Sequence, residues 1–137
     1  MKNRNFLYVL ALSFGLFVTT SCSNEDNDGE TIVPIQGKYE LSQTGGIVDG
    51  KEVLIDVEQD CATEKDYLEL RLSNAAVMGD YNDNCNKTET TGTYVRSHND
   101  LTLTFGNIST TSDIMNLTNK ELKLKDKTTG VITVYKR

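Results

Sequence analysis

"IQGKYELSQTGGIVDGKEVLIDVE", residues 35–58, alternates apolar or small residues with polar ones in two runs separated by a glycine-rich break. A period of two belongs to a strand with one buried face. Ile35, Gly37, Tyr39 and Leu41 share one side, while Gln36, Lys38, Glu40 and Ser42 take the other. Gly45-Gly46 to Asp49-Gly50 reads as a turn, because Asp-Gly between apolar alternations is a hairpin signal. Val53, Ile55 and Val57 then alternate with Leu54, Asp56 and Glu58 in a second strand. The head of the chain is thus read as an antiparallel hairpin.

The same period continues outward from this hairpin. Leu68, Leu70 and Leu72 alternate with Tyr67, Glu69 and Arg71 in a third strand. Ala75–Tyr81 gives a fourth, ending in "DYNDNCN", a loop by its Asp and Asn content. The Thr-rich stretch Thr88–Val95 is a fifth. Leu101, Leu103 and Phe105 mark a sixth between the "SHND" turn and Gly106-Asn107. Thr110–Leu117 is a weaker seventh, Leu122 and Leu124 sit in an eighth, and Val131–Tyr135 is the last. No window carries a helical stripe of useful length. The expected class is all-β: a small up-and-down antiparallel barrel of about eight strands, since closure removes exposed edges. A β-sandwich is the alternative. Tyr39, Leu41, Val53, Ile55, Val57, Leu68, Leu70, Leu72, Leu103 and Phe105 are the expected inward residues, either as plain core or as the lining of an interior.

Residues 1–21 read as a secretory leader, with Lys2 and Arg4 before an apolar stretch, Phe6–Val18, too short to span a bilayer as a helix. Thr19, Thr20 and Ser21 before Cys22 resemble the lipobox of bacterial lipoproteins, with Thr19 where that pattern usually has Leu. The resemblance implies an acylated Cys22; an ordinary signal peptide cut nearby is the other reading. "SNEDNDGE" follows, acidic and without apolar residues, and reads as part of a flexible tether over 22–33. Such a run after an acylated cysteine resembles the signal that sends some Gram-negative lipoproteins to the outer face of the outer membrane. A solvated spacer is its plainer reading. The folded domain is then 34–137.

Removing 1–21 takes away Lys2 and Arg4 and moves the formal charge from −6 to −8. Nucleic acid is therefore not an expected partner, because phosphate binding relies on clustered Lys and Arg. The acyl anchor would be the membrane contact, as no basic amphipathic surface adds a second.

Cys61 and Cys85 are an even pair in an exported chain, which implies a disulfide. It would close a loop of about 25 residues and contribute on the order of 3 kcal/mol. A zinc site or Cys-His dyad lacks partners, with His98 the single imidazole. Asp80, Asn82 and Asn84 begin a calcium-loop pattern that breaks at Cys85 and at Thr91, where Gly and a bidentate Glu belong. Glu40, Asp56, Glu58 and Glu69 fall on outward positions without an aromatic platform, so they read as a solvated face and not as a glycosidase pair. His98 reads as an exposed turn residue, and the sequons at Asn86, Asn107 and Asn116 carry no weight in a bacterial chain. No catalytic group, metal or cofactor is expected, and no enzyme activity.

"IQGKYEL", "DYLELRL", the paired cysteines, "GTY", "LTL" and "ELKLK…VYKR" together resemble the lipocalin-like domains carried on Gram-negative lipoproteins, over nearly all of 35–137. Lipocalins begin with Gly-x-Trp at the barrel base under a late basic residue. Gly37 and Tyr39 fill those places here, with Lys136 or Arg137 as the packing cation. The resemblance implies a barrel whose open end holds a small hydrophobic ligand against Tyr39, Leu41, Ile55, Val57, Leu70, Leu103 and Phe105. The alternative is a filled barrel acting as an adhesin, inhibitor or accessory subunit. Its protein partner would meet the "TGGIVDG" and "DYNDNCN" loops, where Ile47, Val48 and Tyr81 offer apolar contacts.

Overall fold

The computed structural model describes residues 32–137. The expected leader at 1–21, the expected anchor Cys22 and most of the expected tether over 22–33 lie outside the described residues. The strands are β1 (Gly37–Val48), β2 (Lys51–Asp56), β3 (Tyr67–Leu70), β4 (Ala75–Tyr81), β5 (Lys87–Ser97), β6 (Asp100–Phe105), β7 (Ile108–Leu117), β8 (Glu121–Asp126) and β9 (Ile132–Lys136). Each of β3 to β9 pairs antiparallel with the next, and β1 pairs with both β3 and β9. The result is a closed ring of eight strands with β2 as an extra strand on β1. Antiparallel neighbours joined by tight turns need no crossover, which is why short alternating segments suffice to build it.

Side chains alternate across the wall, and register identifies the inner face. Tyr39 pairs with Leu68, Leu70 with Ala76, Tyr94 with Leu103 and Leu122 with Tyr135. Ile35, Tyr39, Leu68, Leu70, Ala76, Tyr94, Leu101 and Leu122 form a buried cluster that fills one end of the barrel. Each fully buried leucine there contributes about 2 kcal/mol of transfer free energy. This is the end where the chain enters at Ile35 and leaves at Arg137.

Three expectations about inward residues are corrected. Leu72 is 85% exposed because β3 stops at Leu70 and Leu72 lies in the following turn. Val53 and Ile55 are 46% and 63% exposed although their alternation is as expected. The cause is local. A bulge leaves Ser42 unpaired between Leu41 and Gln43, which moves Thr44 to the inner face and Gly45 to the outer one. Gly45 lies between Ile132 on β9 and Leu54 on β2, and a Cβ on it would collide with the Val53 carbonyl. Without a side chain at Gly45, β2 folds over the outer face of β9, and Glu52 reaches Lys123 of β8 at 2.7 Å. Ile132 and Val134, outward on β9, are 0% and 1% exposed there. Val53 and Ile55 face away from this fold into solvent.

The strand also runs through Gly45-Gly46, so the turn is confined to Asp49-Gly50, at φ 52° and 77°. Positive φ at both positions suits Asp-Gly in a two-residue hairpin. The weak seventh strand has a bulge of its own. Met115 is the extra residue between Ile114 and Asn116, so the inward series Ser112, Ile114, Leu117 breaks its period.

Candidate functional site

The filled end of the barrel is its floor. The Tyr39 hydroxyl donates to the Ile35 carbonyl at 2.7 Å, and the Arg137 guanidinium carbon lies 4.7 Å from the Tyr39 ring centroid. Arg137 also donates to the Gln36 carbonyl, and it occupies the space that a Cβ on Gly37 would fill. Burial pushes the Tyr39 phenol up, against the opposing charge of Arg137. Lys136 points the other way and binds Glu121 at 2.6 Å. Beside this stack the Tyr94 hydroxyl donates to the Arg71 carbonyl at 2.8 Å and accepts from Gln36 at 3.1 Å. The floor is closed, with its buried polar atoms paired.

Above it lies a cavity of about 360 Å³. Its apolar wall is Leu103 and Phe105 from β6, Ile108 from β7, Leu124 from β8, Met78 from β4 and Val131. Its polar wall is Thr110 and Ser112 from β7, Asp126 at the end of β8, and Thr133 and Tyr135 from β9. The mouth is at the end bearing the β6–β7 and β8–β9 turns, where Ile108 and Val131 are 72% and 44% exposed. The size falls within the range of small-molecule sites, as does an apolar lining carrying a few polar groups. Phe105 enters the space because Gly92, facing it on β5, has no Cβ to meet the ring.

Burial pushes the Tyr135 phenol up to about 12, and the nearby Asp80 carboxylate adds to the shift. Tyr135 therefore stays a neutral hydroxyl at ordinary pH. Asp80 itself is raised, first by burial and then by Asp66.

Of the residues expected to touch a ligand, Leu103 and Phe105 line this cavity. Tyr39 and Leu70 lie in the floor core beneath it. Leu41 and Val57 are half-buried without lining it, and Ile55 stands in solvent on β2, for the reason given above. Tyr135, Thr133 and Val131 were legible in principle, since "VITVY" alternates through residues 131–135. Asp126 also continues the inner series Leu122, Leu124 on β8.

Cys61 and Cys85 form a disulfide with Cα atoms 4.9 Å apart. It ties the segment after β2 to the β4–β5 turn. In that turn Asn82 Oδ1 accepts from the amides of Asn84 and Asn86 at 3.0 and 2.9 Å, which is the work of an Asn-rich turn. Tyr81 packs toward Tyr67, ring centroids 6.3 Å apart, instead of projecting from the loop.

A closed antiparallel barrel with a sealed floor, a basic residue over the first aromatic and a cavity at the other end defines a lipocalin-type barrel. Residues 35–124 match the Lipocalin-like domain, and the chain belongs to that family. A solved lipocalin-like protein from Bacteroides uniformis is similar at TM-score 0.56 and 13% identity, covering 74% of this chain and 96% of the other. An uncharacterized protein from Bacteroides eggerthii is similar at TM-score 0.55 and 14% identity, covering 74% and 98%. None of the curated proteins matches the chain.

Proposed function

We propose that the protein is a non-enzymatic carrier or receptor for a small, mainly apolar molecule held in the barrel cavity. The supporting observation is the cavity of about 360 Å³, which Leu103, Phe105 and Leu124 line opposite hydroxyl-bearing residues. The described lining holds no Cys, His or Lys, which favours binding over catalysis. Acylation of Cys22 and a surface-exposed place on the outer membrane complete the proposal; the apolar leader, the Thr-Thr-Ser-Cys sequence and the acidic run after it support both.

The test is native mass spectrometry of residues 23–137, the chain without its leader and anchor cysteine, after incubation with a lipid and metabolite extract of its host. A reproducible adduct that disappears in Leu103→Trp, which fills the cavity, is the expected result. An adduct that persists in that variant places binding elsewhere. A second reading, interaction with a protein partner, draws on the β1–β2 hairpin. Ile47, Val48, Val53 and Ile55 are 47%, 55%, 46% and 63% exposed on it.

A further inference from the structure

The walls of the cavity carry a charge asymmetry that selects among ligand classes. Among the described residues that line it, Asp126 bears the one formal charge, and none is cationic. Asp126 Oδ1 accepts from the amides of Thr128 and Thr129 at 2.7 and 2.9 Å, closing the β8–β9 turn. The Thr129 hydroxyl is a further, weaker donor to the same carboxylate. The amides of Thr129 and Thr128 hold this carboxyl below the usual range, so it is an anion at any ordinary pH. Neighbouring lysines do not neutralise it. Lys127 binds Asp100 and Asp113 at 2.7 and 3.4 Å, and Lys125 alternates to the outer face of β8. Asp80, two residues beyond the lining Met78 on the same face of β4, adds a second carboxyl that acts on Tyr135.

Resting on the binding reading above, we infer that the occupant is a small amphiphile with a cationic or neutral, hydrogen-bond-donating head at Asp126 and an apolar body against Leu103, Phe105 and Leu124. Carboxylate- and phosphate-bearing lipids are disfavoured, because their head would meet the like charge of Asp126 with no cation in the cavity lining to offset it. The volume of about 360 Å³ sets the size at on the order of a dozen non-hydrogen atoms, taking about 30 Å³ for each water-sized group.

Calorimetric titration of residues 23–137 at pH 7 with n-decylamine, 1-decanol and decanoate tests this. Decylamine is expected to bind at least about tenfold more tightly than decanoate. Asp126→Asn keeps the turn, because the amide oxygen accepts the same bonds, and should bring the two within about threefold. Glu58→Gln, which removes an exposed charge outside the cavity, should leave the ratio unchanged. Decanoate binding as well as decylamine overturns the inference. So does a preference that survives Asp126→Asn, or one that Glu58→Gln abolishes equally. Decanol binding with an amine-to-carboxylate ratio near one overturns this inference alone. Failure of all three probes on a folded protein overturns the binding reading and the inference with it.

Discussion

Tyr39 joins the two ends of the described chain: its hydroxyl holds the Ile35 carbonyl at 2.7 Å and its face carries Arg137 at 4.7 Å. A cation over a buried ring contributes about 1 kcal/mol, so a double-mutant cycle of Tyr39→Leu and Arg137→Gln should return a coupling of that size in urea unfolding. Additive effects would mean that the stack is geometry without energy. "GKY" and the terminal basic pair made the partnership legible, but not which basic residue takes part. Alternation on β9 supplies the answer. Tyr135 faces in and Lys136 faces out to Glu121, so Arg137 returns to the side of Tyr39. The cavity residues were harder to foresee, because Thr110, Ser112 and Thr133 are hydroxyl-bearing and an apolar pattern search passes over them.

The elements follow the period-two pattern wherever one face meets the core, and depart from it at bulges and glycines. Leu103 and Phe105 were placed correctly because β6 has a paired strand on both sides and no interruption. Ile55 was not, because its orientation is set by the unpaired Ser42 and by Gly45, and neither changes the alternation within β2 itself. Strand ends are also tied by side chains. Glu121 accepts from Lys136 of β9 at 2.6 Å and from Asn116 of β7 at 2.9 Å, and these bonds, Lys136 first, hold its carboxyl below the usual range. A depressed folded pKa contributes stability above the unfolded carboxylate range, and that stability is lost as pH falls through the folded value. Glu121→Gln should therefore cost about 1 kcal/mol at pH 7. The gap to the parent should narrow as pH falls below ~4, the ordinary carboxylate range, and close once it has passed the lower folded value. Thermal melts of both proteins across that range measure it, and a gap that stays constant with pH would assign the loss to packing.

At the scale of the molecule, β2 and β3 divide one edge of β1 between them. β2 pairs with 43–48 and β3 with 37–40. Because β2 folds outward, the wall between β1 and the end of β4 is finished by residues 57–66 instead of by a strand. Few backbone bonds hold that segment: Val57 donates to the Ser42 carbonyl at 2.9 Å and Leu41 to the Asp66 carbonyl at 2.7 Å. Side chains do the remaining work. Gln59 bridges Leu41 and the Asp66 amide, and Asp66 accepts from the Tyr81 amide at 2.8 Å. The Cys61–Cys85 disulfide then joins the segment to the β4–β5 turn across a sequence separation of 24. Cross-linking a loop of that length contributes about 3 kcal/mol, chiefly by restricting the unfolded chain. Replacing both cysteines with alanine should lower unfolding free energy by about that amount. If the patch matters to the folded wall as well, amide exchange should quicken first at 57–66 and 80–87, ahead of the floor strands carrying Leu68 and Leu122. Uniform acceleration at every amide would leave only the unfolded-state effect, and the wall at 57–66 would then stand on its hydrogen bonds alone.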